Sequence, residues 1–121
     1  MIEYIRADHI QICVPPKRLE EAKRFYNEVM GLPLIERPAE FNGSQGYWFA
    51  LADIELHIGV EAPGTKTKRH TAIQITDIVA ARQHLKKNKV EIIEGTRLPG
   101  RERFSFIDPF GNKMELLEKT L

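Results

Sequence analysis

The chain has 121 residues, 42% of them hydrophobic and 29% charged, the make-up of one ordinary globular domain. Eighteen Lys plus Arg against seventeen Asp plus Glu leave a net charge of +1, so overall charge offers no attraction to nucleic acid or to an anionic membrane. The lone Cys13 cannot close an intramolecular disulfide, the charged start Met1 to Arg6 lacks a signal peptide's apolar run, and no segment approaches the roughly 20 apolar residues of a membrane span. A cytoplasmic protein with no nucleic-acid or membrane partner is expected.

In chain order, Asp8 to Val14 reads as a strand stopped by Pro15-Pro16, whose missing donors end sheet pairing. A helix follows, with Leu19, Ala22, Phe25, Tyr26, Val29 and Met30 at three- and four-residue steps and Gly31 as its C-terminal cap. Leu34 to Glu36 makes a short strand and Pro38 to Gly46 a polar loop. Tyr47 to Leu51 and Ile54 to Val60 form a hairpin turning at Ala52-Asp53. Ala62 to Lys68 is a flexible linker. The order then repeats: a strand from His70 to Ile75, a helix capped by Asp77 and carrying Ile78, Ala81 and Leu85, a strand from Val90 to Ile93, a loop Arg97 to Gly100, and a hairpin of Phe104 to Ile107 and Lys113 to Glu118. The pattern is βαβββ twice: module one at 1–62, the linker at about 62–69 and module two at 70–121.

Strand alternation sorts the side chains. Ile10, Ile12 and Val14 oppose His9, Gln11 and Cys13; Leu56 and Ile58 oppose Glu55 and His57; Ile73 and Ile75 oppose His70 and Gln74; Phe104 and Phe106 oppose Arg103 and Ser105; Met114 and Leu116 oppose Glu115. Each half thus opens with a histidine and closes on a Glu-Leu pair at nearly the same spacing, from 9 to 55 and from 70 to 115, with all four polar residues off the core face. Two imidazoles and two carboxylates gathered in a sheet concavity need a cation or solvent. Mixed nitrogen and carboxylate ligation suits zinc, iron, manganese, nickel or cobalt, and does not choose among them.

His9, Glu55, His70 and Glu115, the helix Leu19 to Tyr26 followed by Met30-Gly31-Leu32, and the segment Asp108 to Leu116 resemble the vicinal oxygen chelate superfamily, which contains glyoxalases, bleomycin-resistance proteins and extradiol dioxygenases. The resemblance covers nearly the whole chain. It implies an α+β, glyoxalase-like fold of two βαβββ modules in a curved mixed sheet, completed as a homodimer, with a divalent metal held by residues of both modules. His9, His70 and Glu115 match the recurrent ligand positions, and Glu55 matches the fourth. His57 lies two residues along on the same face, so the choice between Glu55 and His57 stays open.

The same resemblance implies chelation of a small substrate through vicinal oxygens, with Glu55 or Glu115 as base and His57 as an alternative proton carrier. Trp48 points away from the core, toward a substrate pocket or a dimer contact. Arg103 and Ser105 share the site face, and Arg103 suits a carboxylate or phosphate of the substrate. Arg97, Arg101 and His84 read as surface residues, Cys13 as a buried inert thiol, and the turn from Asp108 to Asn112 as structural. A glyoxalase I is disfavoured because Cys13 stands where such relatives place a glutathione-binding arginine. Fosfomycin-type thiol transfer is disfavoured by the set Trp48, Glu55, Arg103 and Ser105, and an extradiol dioxygenase by the chain's length. The expected function is a metal-dependent isomerase, lyase or transferase. Its rivals are a metal-free protein sequestering an antibiotic or metabolite, and an extradiol-type dioxygenase.

Overall fold

A computed structural model describes residues 1–41, 43–64 and 67–120. The chain forms two compact units, 1–64 and 65–121, each with one four-stranded sheet. Thr65 and Lys66 of the expected linker lie outside the described residues; its flanks carry neither helix nor strand.

In the first unit the elements are β1 (His9–Val14), α1 (Leu19–Arg24), β2 (Leu34–Ile35), β3 (Tyr47–Leu51) and β4 (Ile54–Val60), in sheet order β1-β4-β3-β2. The second repeats this with β5 (His70–Gln74), α2 (Ile78–Lys87), β6 (Ile92–Glu94), β7 (Arg101–Ile107) and β8 (Lys113–Lys119), in order β5-β8-β7-β6. In both, the first strand pairs in parallel with the last and the other pairings are antiparallel. The class is α+β, with βαβββ present twice as expected.

The expected hairpin at Ala52-Asp53 is present, with Ala52 at φ 52°. Asp77 caps α2 by accepting from Ala80 N–H at 3.0 Å. Gly31 ends the first helical segment at φ +74°, a conformation that favours glycine. Before that, the helix leaves α geometry: Phe25–Val29 winds as a π turn, in which Met30 N–H reaches Phe25 O at 3.0 Å. With the extra residue in the turn, two consecutive aromatics, Phe25 and Tyr26, are both buried. The strand expected at Val90 to Ile93 lies instead at Ile92–Glu94, because Val90 N–H returns to the α2 carbonyl of Leu85 at 2.9 Å.

The expected core faces are the observed ones. Tyr26, Phe49 and Leu56 in the first unit and Phe106 and Met114 in the second are wholly buried, each contributing about 1.5–3 kcal/mol by removal from water.

Register revises the apparent repeat. His9 pairs directly with Glu55 on β1·β4, whereas His70 pairs with Lys113, and Glu115 lies opposite Ala72. If the two histidines are equivalent, the first-unit counterpart of Glu115 is therefore His57, which lies opposite Gln11. The matching Glu-Leu pairs are one pleat out of step, since equal spacing along the chain includes loop residues that the ladder does not count.

Candidate functional site

In the first unit, β1, β4 and β3 bring His9, His57 and Trp48 side by side. Trp48 and His57 are register partners, with ring centroids 3.9 Å apart and planes 1° from parallel. The other face of His57 stacks on His9 at 4.1 Å and 17°. His57 Nε2 lies 2.9 Å from Glu55 Oε1, and His9 Nδ1 lies 2.9 Å from Asp8 Oδ2. The His9 bond holds the Asp8 carboxyl below its usual range. His57 is buried, while the His9 and Glu55 side chains are 44% and 40% exposed, so both present polar atoms to solvent. They line an open cleft of about 910 Å³ together with Gln11, Trp48, Arg37 and Phe41.

Arg37 ties the loop before β3 in place, donating from Nη1 to the carbonyls of Ser44 and Gly46 and from Nη2 to Ser44 Oγ. That loop sets Phe41 edge-on to Trp48 at 5.6 Å. Asp8, Arg37 and Phe41 are the site neighbours that sequence patterning did not single out. The acid adjoining a strand histidine was the available signal for Asp8. A polar loop carries no periodicity to single out the other two.

In the second unit, His70 Nε2 lies 3.3 Å from Glu115 Oε1, and Arg103 Nη1 lies 3.5 Å from the same oxygen. Arg103 Nη2 donates to Thr96 O at 3.0 Å. A Cβ on Gly95 would come within 3.2 Å of that Nη2, so bare backbone at Gly95 lets the guanidinium lie there. Arg103, expected to receive a substrate anion, thus has a carboxylate partner within its own module. Ser105 is buried directly opposite Glu115. Arg97 and Arg101 border a cavity of about 350 Å³ that Arg82, Glu94 and Arg103 also line; Arg97 and His84 are exposed as expected, whereas Arg101 is half-buried. Cys13, expected to be buried, is half-buried, and that partial burial pushes its thiol up, in line with an unreactive residue. Asp108 holds its turn, accepting from Phe110 and Asn112 N–H at 2.9 and 2.7 Å.

The donor chemistry at His9 and His70 suits a metal. His70 Nδ1 faces Lys68 O at 3.0 Å, and a carbonyl only accepts, so Nδ1 carries the proton. In the neutral ring, Nε2 then presents a lone pair toward a carboxylate oxygen, a donor pair of the kind a divalent cation would take up. The Asp8 carboxylate selects the same tautomer at His9, the carboxylate–histidine arrangement that orients metal-binding imidazoles. His57 differs, because Glu55 accepts from its Nε2–H. Among the described residues no group of three or more His, Cys, Asp or Glu that could hold a metal is gathered; the donors stand in pairs within each module.

A family model described as Glyoxalase/Bleomycin resistance protein/Dioxygenase superfamily matches residues 6–116. A Bacillus anthracis protein described as a glyoxalase family member is 38% identical, with a TM-score of 0.89 over 99% of this chain and 100% of that one. A mutant of the fosfomycin resistance protein FosX from Listeria monocytogenes, complexed with manganese(II) and 1S,2S-dihydroxypropylphosphonic acid, is 22% identical with a TM-score of 0.80, over 100% and 95% of the chains. Lactoylglutathione lyase from Agrobacterium tumefaciens is 17% identical with a TM-score of 0.76, over 96% and 95%. At these two lower identities the likeness is one of fold. No described helix is long and apolar enough to cross a membrane.

Proposed function

Given that the chain belongs to the glyoxalase/bleomycin resistance protein/dioxygenase superfamily, we propose that it is a metal-dependent enzyme acting on a small oxygenated substrate, with isomerase, lyase or transferase chemistry. The observation that carries this reading is the preset tautomer of His9 and His70, each with Nδ1 committed to an acceptor and Nε2 left as a donor atom. By the family resemblance, His9, His70 and Glu115 would be the metal-holding residues, with Glu55 as the further carboxylate. Manganese is the metal named for the FosX complex, and zinc, nickel, iron and cobalt suit the same donors. Bound there, a divalent cation supplies Lewis-acid polarisation of vicinal substrate oxygens.

The chain's own residues do the rest. Glu55 is half exposed to the cleft, and with Oε1 engaged by His57 its other oxygen is left to take up or return a substrate proton. Trp48 gives the cleft an apolar wall. Arg103 holds Glu115 against His70, and Ser105 offers a hydroxyl beside it. A homodimer is the working state implied by the family resemblance, and the lone Cys13 suits a reducing cytoplasm.

Metal analysis of untagged protein reconstituted with manganese or zinc tests the reading. Wild type should retain about one metal per chain, and His70→Ala less than about 0.2. Wild type at the lower figure, with unchanged thermal stability, overturns it. Turnover of 2-oxoaldehyde hemithioacetals, catechols, epoxide antibiotics or acyl-CoA epimers then separates the reaction classes. Tight binding without metal or turnover would identify a sequestering protein.

A further inference from the structure

We infer that His57 is a positioning residue: a ring wedged between Trp48 and His9 that fixes the His9 imidazole and the Glu55 carboxylate, and is not itself a metal donor. The inference rests on the functional reading above and goes beyond it, because register gives His57 the place that Glu115 holds in the second module. A histidine at that place would be expected to ligate.

Its surroundings assign it other work. Both ring faces are covered, at 3.9 Å by Trp48 and 4.1 Å by His9, and its side chain is only 8% exposed. Its Nε2 is spent on Glu55 Oε1 at 2.9 Å. A carboxylate only accepts, so that nitrogen carries the proton, and the remaining lone pair, on Nδ1, belongs to a ring enclosed by its neighbours. His9 has the opposite tautomer, with Nδ1 bound to Asp8. Three rings on three neighbouring strands thus form a column, braced at its far end by the edge of Phe41.

The groups gaining from the column are the ones that need it. His9 and Glu55 are partly exposed side chains that would otherwise sample several rotamers, and ordering them beforehand removes that loss from the binding step. Stacking restrains His9 while the hydrogen bond restrains Glu55. One residue therefore serves both through two separable contacts.

Two variants separate them. His57→Phe keeps a ring in the column and drops the bond to Glu55; His57→Gln keeps an N–H donor and drops the ring. In metal-free protein with labelled histidines, carbon-13 relaxation should show the His9 ring ordered, near about 0.85 in wild type and His57→Phe, and falling below about 0.6 in His57→Gln. Emission from Trp48, the single tryptophan, checks that the column persists in His57→Phe. In cobalt(II) titrations both variants should lose about 10-fold in affinity while the visible absorption bands keep the wild-type form, because the ligand set is unchanged. A His9 ring equally ordered in His57→Gln, unaltered affinity in both variants, or bands changed in His57→Phe would each overturn the inference. If wild type takes up no cobalt(II), the proposed metal enzyme fails, and His9 order in the metal-free variants still decides whether His57 positions it.

Discussion

The two modules share a ladder and differ in what they hang on it. Aligned by register, Phe49 corresponds to Phe106 and Leu56 to Met114, and all four are wholly buried. On the opposite face the correspondence is one of place only. Trp48 corresponds to Ser105 and His57 to Glu115, so one module presents stacked rings beside an open cleft and the other a buried carboxylate gripped by His70 and Arg103. Packing constrains the inner face because a lost methylene there leaves a void. The outer face is free to diverge into an orienting half and a charge-balancing half.

The equivalence of the cores is open to the harshest test. Phe49→Ala and Phe106→Ala should each cost about 3–5 kcal/mol in urea unfolding, and a gap above about 2 kcal/mol between them would break the correspondence. Next in size is the electrostatic difference. Arg103→Met should lower metal affinity about 10-fold, and Arg103→Lys should recover part of it, since a lysine can reach Glu115 but cannot also span to Thr96. Equal affinity in Arg103→Met would mean that His70 alone suffices to hold Glu115. The smallest effect is expected at the helices: α2 has a side-chain cap in Asp77 and α1 has none. Asp77→Ala should therefore cost about 1 kcal/mol in thermal unfolding, with metal affinity unchanged.

Much of this architecture could be read from residue order. Alternation located the strands and sorted His9, Glu55, His70 and Glu115 onto the polar faces; Asp77 and Gly31 punctuated the elements as their backbone preferences require, whereas the hairpin turns at Ala52 with φ 52°, a conformation alanine seldom adopts. Register could not be read in the same way. The spacing from His9 to Glu55 resembles that from His70 to Glu115, yet the hairpin turns between β3 and β4 and between β7 and β8 differ in length, and only hydrogen bonding shows which residues lie across from one another. Side-chain partnerships were hidden for a related reason. That Arg103 turns to Glu115 depends on the β7·β8 register, and that Phe41 lies between Arg37 and Trp48 depends on a loop whose path carries no periodic signal.

The parallel pairing of each module's first strand with its last has a kinetic consequence. β1 has no partner until β4 exists, and β5 none until β8 does, so in each module the pairing that carries the histidine must wait for loop closure across the whole unit. During synthesis the β3–β4 and β7–β8 hairpins, being local, can form as soon as they emerge. The strands bearing His9 and His70 would then dock onto them, making the histidine-bearing edge the late event in each module's folding.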